Sequence, residues 1–205
     1  MRQVLFALCC LTTAAGCAAV KKTVEPLALV RVADDRDQFE LRRVAILPVE
    51  ARDLRLEDAQ AFQGALALQL GERLHAEFLL LSRGDASEIP DNDAFRTGRI
   101  EPKAVIGLAQ RYNLDGLITV HVTDRRTYAP QRLALEVELT ACDTGLPIWN
   151  ASLRLDAAQQ RTLDSLHAWF ENERGSRDVN ETVDLYLLSP RRFAEFAAAQ
   201  VAMAY

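Results

Sequence analysis

The chain has 205 residues, with 24 basic side chains against 29 acidic ones and a net charge of −5 at pH 7. That balance argues against a nucleic-acid surface or a polybasic membrane patch, since both need clustered Lys and Arg. Hydrophobic residues make up 49% and charged residues 26%, a globular composition in a length that suits one domain plus a tether.

The N-terminal stretch reads MRQVLFALCCLTTAAGC. Arg2 gives a positive start, residues 4–15 an apolar run, and Ala14-Ala15-Gly16 three small residues directly before Cys17. Residues 1–16 therefore read as a removable secretory signal peptide. The run is too short to span a hydrocarbon core of about 30 Å. The pattern resembles a bacterial lipobox, with Ala14 where that pattern usually has Leu. The resemblance implies that Cys17 is lipidated, carrying a diacylglyceryl thioether and palmitate-type acyl chains that anchor the protein in the membrane. Each buried methylene contributes about 0.8 kcal/mol, so three chains make release negligible. Ala18 after the cysteine implies the outer membrane, with the domain in the periplasm. Secretion with a nearby cleavage site is the alternative.

Cys9 and Cys10 leave with the signal and Cys17 carries lipid, so Cys142 is the one remaining thiol and no intramolecular disulfide is possible. Residues 17–38 comprise the lipidated cysteine and a tether, which lacks a sustained period and contains Pro26. Fully extended it would reach about 70 Å, and as a flexible coil about 25 Å. A single globular domain is expected over residues 39–205.

Residues 44–49 form a continuous apolar run that suits a strand covered on both faces, ending at Pro48. Residues 56–76 read as a helix with Ala59, Phe62, Leu66, Leu70 and Leu74 on one face and Asp53 as N-cap. Residues 78–81 make a short buried strand. A polar loop is expected over 82–101; its Asp85, Glu88, Asp91 and Asp93 lack the order of ligands that an EF-hand requires. Pro102 opens a helix through Tyr112 that leads into the strand LDGLITVHVT. There Ile118, Val120 and Val122 share one face and Thr119, His121 and Thr123 the other.

Next, RLALEVELTAC alternates: Leu133, Leu135, Val137, Leu139 and Ala141 point inward, and Arg132, Glu136, Glu138, Thr140 and Cys142 outward. Asp143-Thr144-Gly145 is the turn, with Gly145 at positive φ, and Trp149, Ala151, Leu153 and Leu155 point inward on the return strand. The tail is helical over 157–170, then a charged loop over 171–180, then a final helix capped by Ser189-Pro190. The order β-α-β-α-β-β-β-α-α gives an α/β (α+β) fold: a mixed sheet of about five strands, its first part parallel, with helices packed mainly on one side.

The combination of a lipobox, RVAILPV, FLLLSR, YNLDGLITVHV and the turn ACDTGLPIW resembles a fold shared by three envelope families. These are the curli-secretion lipoprotein, the lipoprotein activators of penicillin-binding proteins, and the N-terminal domain of TolB. The shared elements are Asn113-Leu114-Asp115 before the second central strand and Thr144-Gly145 before Trp149, covering residues 40–155. They are structural, so the resemblance implies the fold and not a specific activity.

No catalytic set stands out. There is no G-x-S-x-G elbow, no HExxH and no CxxC, and His75, His121 and His167 are isolated, so no cofactor or metal is expected. Glu136 and Glu138 lie about 7 Å apart on one strand face, a spacing also found in glycosidases and on any wet strand. Cys142, near the strand end, reads as an inert small residue; its polar-face position makes an intermolecular disulfide the alternative. Thr119, His121, Arg132, Glu136, Glu138 and Arg154 form the candidate partner surface. The expected function is a non-enzymatic, periplasm-facing accessory or assembly factor acting through an envelope protein partner. A secretion-channel subunit with the 131–155 hairpin in the membrane is the alternative, and an uncharacterised hydrolase the third reading.

Overall fold

A computed structural model describes residues 25–87, 89, 92–174 and 179–205. The leader, Cys17 and the chain up to residue 24 lie outside the described residues. One mixed sheet contains β1 (Leu29–Val32), β2 (Arg43–Ile46), β3 (Glu77–Leu80), β4 (Gly116–Arg126), β5 (Arg132–Ala141) and β6 (Leu146–Asp156), in the order β1-β6-β5-β4-β2-β3. The helices among the described residues are α1 (Leu56–Leu74), α2 (Asn92–Thr97), α3 (Pro102–Tyr112), α4 (Gln160–Arg174), α5 (Val179–Leu188) and α6 (Pro190–Met203). Helical crossovers make the β2–β3 and β2–β4 pairs parallel, whereas β4, β5, β6 and β1 pair antiparallel.

The apolar run of β2 is buried on both faces: Val44, Ala45 and Ile46 have no exposed surface. The strand stops before Pro48, as a missing N–H requires. Ala59, Phe62, Leu66 and Leu70 of α1 face the core at the expected spacing. Gln63 is buried among them, and its Nε2 donates to the carbonyls of Ile46 (2.7 Å) and Leu81 (3.0 Å). The Ile46 carbonyl also accepts from the Leu81 amide (3.0 Å), so this one buried side chain joins the ends of β2 and β3 and leaves its own amide donors satisfied. Asp53 does not cap this helix. It sits at φ 59, the cap position is Arg55 without a side-chain bond, and Glu57 and Asp58 supply negative charge to the first turn.

Two apolar clusters sandwich the sheet. The larger packs α1, α4, α5 and α6 on one face through Phe62, Leu66, Phe170, Tyr186, Phe193 and Phe196. The smaller covers only the β2–β4 half of the other face, with Phe95, Val105 and Leu108 over Ala45, Leu47 and Leu117. Among the described residues, no helix covers the outer face of β5, β6 and β1.

Asp115 ties the parallel and antiparallel halves together. Its Oδ2 accepts from the amides of Arg42 (2.9 Å) and Arg43 (2.8 Å), its own amide donates to the Arg43 carbonyl, and its carbonyl accepts from the Cys142 amide. The β5–β6 turn closes at Gly145, which has φ +69 as the turn demands. A Cβ there would lie 3.0 Å from Pro102 Cβ, so the turn rests on the start of α3.

Three expectations need correction. The stretch assigned to the tether contributes β1, whose Leu29 to Val32 pair with Ser152 to Trp149 of β6. The Leu27 amide donates to Gln200 Oε1 (2.9 Å), Arg36 hydrogen-bonds the Tyr205 hydroxyl, and the Tyr205 ring stands edge-on to Trp149 at 5.3 Å. A four-residue edge strand with Arg31 at its middle carries no local period, and all its partners lie far along the chain. Second, the 82–101 loop contains α2, which buries Ala94 and Phe95. Third, the 171–180 loop shrinks: α4 runs to Arg174 and α5 starts at Val179, with residues 175–178 outside the described ones. The final helix starts as expected, Ser189 accepting from the Arg192 amide.

Candidate functional site: a polar trough on the open sheet face

The uncovered face of β4, β5, β6 and β1 carries two adjacent rungs. One reads Thr119, Glu138, Asn150, Arg31 across the strands; the next reads His121, Glu136, Ser152, Leu29. The α2–α3 loop makes one wall and β1 the other. Gly98 brings that loop close: it has φ +69, and a Cβ there would sit 3.3 Å from His121 Cβ and 3.6 Å from Thr119 Oγ1. The open groove on the loop side measures about 710 Å³ and that on the β1 side about 700 Å³, and Glu136, Glu138 and Asn150 belong to both. They form one continuous trough.

Carboxylates dominate its floor. Burial pushes the Glu138 carboxyl above its ordinary range, and the neighbouring Glu136 charge adds to this. His121 Nδ1 lies 4.0 Å from Glu136 Oε2. Arg99 on the loop and Arg31 on β1 stand exposed at opposite walls. A floor that accepts, with a cation on either wall, suits an extended polar segment carrying both donors and acceptors.

Four of the six expected surface residues meet in this trough: Thr119, His121, Glu136 and Glu138. Arg132 and Arg154 do not join them. Arg154 lies opposite Ala134, and Arg132 pairs with Arg126 and Asp156 at the far end of the sheet, 4.0 Å from Asp124. The register shift between Val122 and Asp124 explains part of this: it takes Thr123 out of the alternation and turns Arg125 inward to Asp58 (3.6 Å). Asn150 and Ser152 were legible from the alternation of β6. Arg31 was not, because β1 itself was hidden, and Arg99 belongs to a loop whose approach depends on one glycine.

Cys142 is the inert residue expected, but its outward position and the alternative of an intermolecular disulfide are corrected. Cys142 is 4% exposed and packs into the smaller core beside α3, because the strand end falls under that helix and not on the bare part of the face. Burial, then the charges of Asp115 and Asp143, push its pKa up to about 12, so it is withdrawn from disulfide chemistry. No group of three or more His, Cys, Asp or Glu among the described residues is placed to hold a metal ion. Asp85 accepts instead from the Ser82 hydroxyl (2.6 Å) and amide (2.9 Å); Glu88, Asp91 and the side chain of Asp93 lie outside the described residues.

No protein-family model matches the sequence, and no curated protein is similar to it in sequence. Solved structures similar to it include PelC of Paraburkholderia phytofirmans, a dodecamer, at 11% identity and a TM-score of 0.45 over 74% of this chain and 99% of that one. The lipoprotein GNA1162 of Neisseria meningitidis is similar at 13% identity and a TM-score of 0.41, over 56% of this chain and 79% of that one. The C-terminal domain of LpoB from Salmonella enterica is similar at 15% identity and a TM-score of 0.37, over 57% of this chain and 83% of that one.

Proposed function

We propose that this chain is a non-enzymatic, lipid-anchored protein of the bacterial outer membrane whose periplasmic domain binds a partner protein through the trough. The observation that carries the reading is the asymmetric covering of the sheet. Helices bury one face completely and the β2–β4 half of the other, yet leave a two-rung polar floor open between two walls. The lipobox-like ending at Cys17 supports the anchor. No helix among the described residues is long and apolar enough to cross a membrane. With β1 in the sheet, only nine residues lie between Cys17 and Leu27, at most about 35 Å of chain. The partner therefore meets the domain close to the anchoring leaflet.

A channel subunit with an inserted hairpin fits less well. β5 is hydrogen-bonded on both edges, and its inner face lies under α1 and α6. Insertion would strip that core. Site-specific photo-crosslinking in intact cells tests the main reading. Probes at Glu136 and Ser152 should each yield one discrete adduct that a probe at Gln110, on exposed α3 surface, does not. The same adducts from all three positions would reject the trough as the contact. Mass spectrometry of the mature N-terminus tests the anchor separately, expecting a triacylated Cys17.

A further inference from the structure

One rung of the trough floor consists entirely of side chains that can hydrogen-bond. Thr119, Glu138, Asn150 and Arg31 stand in register across β4, β5, β6 and β1, on the face without a helix. Side chains paired across strands are close enough to bond one another. Among the described residues, none of these four does so, nor does any find another side-chain partner. Thr119 is only 6% exposed, yet its hydroxyl faces the groove beside Gly98 and meets nothing there that it can bond. Buried polar groups in folded proteins are normally satisfied.

Glu138 is the sharper case. It is half-buried, and the charge that acts on it is that of Glu136, two residues along the same strand face. Burial and then this like charge hold its carboxyl above the ordinary range, the direction expected of an acid without a counter-charge. Other partly covered acids of the chain are matched with arginine. Asp58 holds Arg55 and Arg125 at 3.2 and 3.6 Å, and Glu50 pairs with Arg83. Glu136 has His121 at 4.0 Å. Glu138 has no such partner among the described residues. An unpaired carboxylate flanked by an unbonded hydroxyl and an unbonded amide is a set of acceptors for a group that donates in several directions.

We propose that the partner segment enters the trough with one basic side chain, its cation seated on Glu138 between Thr119 and Asn150. This rests on the reading of the trough as the contact surface and names the chemistry of what it contacts. An ammonium or guanidinium carries several donors and no acceptor, and its bonds to a carboxylate are among the strong ones. Asn150 offers a donor and an acceptor together, the complement of a peptide bond, so the cation arrives on a polypeptide. Arg31 and Arg99 on the two walls repel further positive charge. A single basic residue among neutral or acidic neighbours therefore fits, and a polybasic run does not.

The test is NMR of the full chain carrying Cys17→Ser, which takes no acyl group, titrated with capped pentapeptides Ser-Thr-Xaa-Thr-Ser. The central residue is Arg, Gln or Glu. The Arg peptide should shift the Thr119, Glu138 and Asn150 signals along one saturable isotherm, with the Gln peptide about tenfold weaker and the Glu peptide weaker still. Glu138→Gln, close in shape to the native residue, should abolish the preference for Arg over Gln. No saturable shift with the Arg peptide, equal binding of Arg and Gln peptides, or a preference that survives Glu138→Gln overturns the proposal. Spermidine binding well ahead of the Arg peptide overturns the choice of a polypeptide. Photo-crosslinking in cells from Ser152 separates this inference from the wider reading. A discrete adduct undiminished by Glu138→Gln keeps the trough as the contact and refutes the cation; adducts shared with Gln110 refute the contact, while the peptides still decide the cation.

Discussion

Replacing Asp115 by Ala should unfold the domain at a markedly lower temperature, although the side chain is only half-buried. Its Oδ2 accepts from two successive amides at the entry to β2, at 2.9 and 2.8 Å. Hydrogen bonds to a charged acceptor contribute about 1.5–3 kcal/mol each. Partial exposure lets water replace some of that, so about 3 kcal/mol for the pair is a fair sum. For a chain of this size each kcal/mol moves the midpoint by about 2–4 °C, giving a drop of about 6–12 °C. Asp115→Asn keeps a neutral acceptor at the same place and should lose about half as much. Thermal and urea unfolding followed by far-UV circular dichroism measures both, and amide exchange at Arg42 and Arg43 should quicken in the Ala variant. An Ala variant within about 1 kcal/mol of the parent, or an Asn variant as damaged as Ala, would refute the assignment of Asp115 as the pin between β2 and β4.

The thiol of Cys142, held near pKa 12, should resist alkylation in the folded protein, and non-reducing gels should show monomer with respect to this cysteine. Because its folded pKa lies above the unfolded value, the folded state retains a proton that the unfolded state sheds. Stability should therefore fall as pH rises from about 9 towards 12, a slope that Cys142→Ala removes in urea titrations. Glu138 has the same sign: its carboxyl is raised by burial, so its charge opposes folding at neutral pH. Glu138→Gln should raise the melting temperature at pH 7.5, and that advantage should vanish at pH 3.5, where the native carboxyl is protonated in both states. Tyr205→Ala removes the ring that bridges Trp149 and Arg36 and should cost about 2–3 kcal/mol, with a change in the near-ultraviolet signal of Trp149.

What the sequence reveals and what it conceals divide along physical lines. Periodicity reports burial within a continuous element, so the β5–β6 hairpin, the buried stripe of α1 and the polar face with Glu136 and Glu138 were legible. The turn at Gly145 and the cap at Ser189 were legible for a related reason, since each needs one residue type at one place. Strand β1 was not. Its stability comes from β6, Gln200 and Tyr205, and its own four residues, Leu29-Val30-Arg31-Val32, are too few for a period to show. Helix α2 is too short for a period to emerge, and α5 follows a charged segment that resembles a loop. The real entry to α1 shows the same limit: Asp53 is a good capping residue, but the chain turns at it with φ 59 and starts the helix three residues later, at Leu56.

The hidden strand has the larger functional consequence. As a free tether, residues 17–38 would let the domain roam and would leave the trough with a single wall. As β1, residues 29–32 supply the second wall, with Leu29 and Arg31 beside Ser152 and Asn150 at the sheet edge. Gln200 of α6 and Tyr205 just beyond it clamp that edge, on the face opposite the trough. Under the proposed anchoring at Cys17, a pull on that end would be borne by β1, its pairing with β6 and the C-terminal residues. The trough's shape depends on the same contacts, so its two walls differ in kind: the loop wall is set by Gly98, whereas the β1 wall is set by pairing with β6 and by the C-terminal residues.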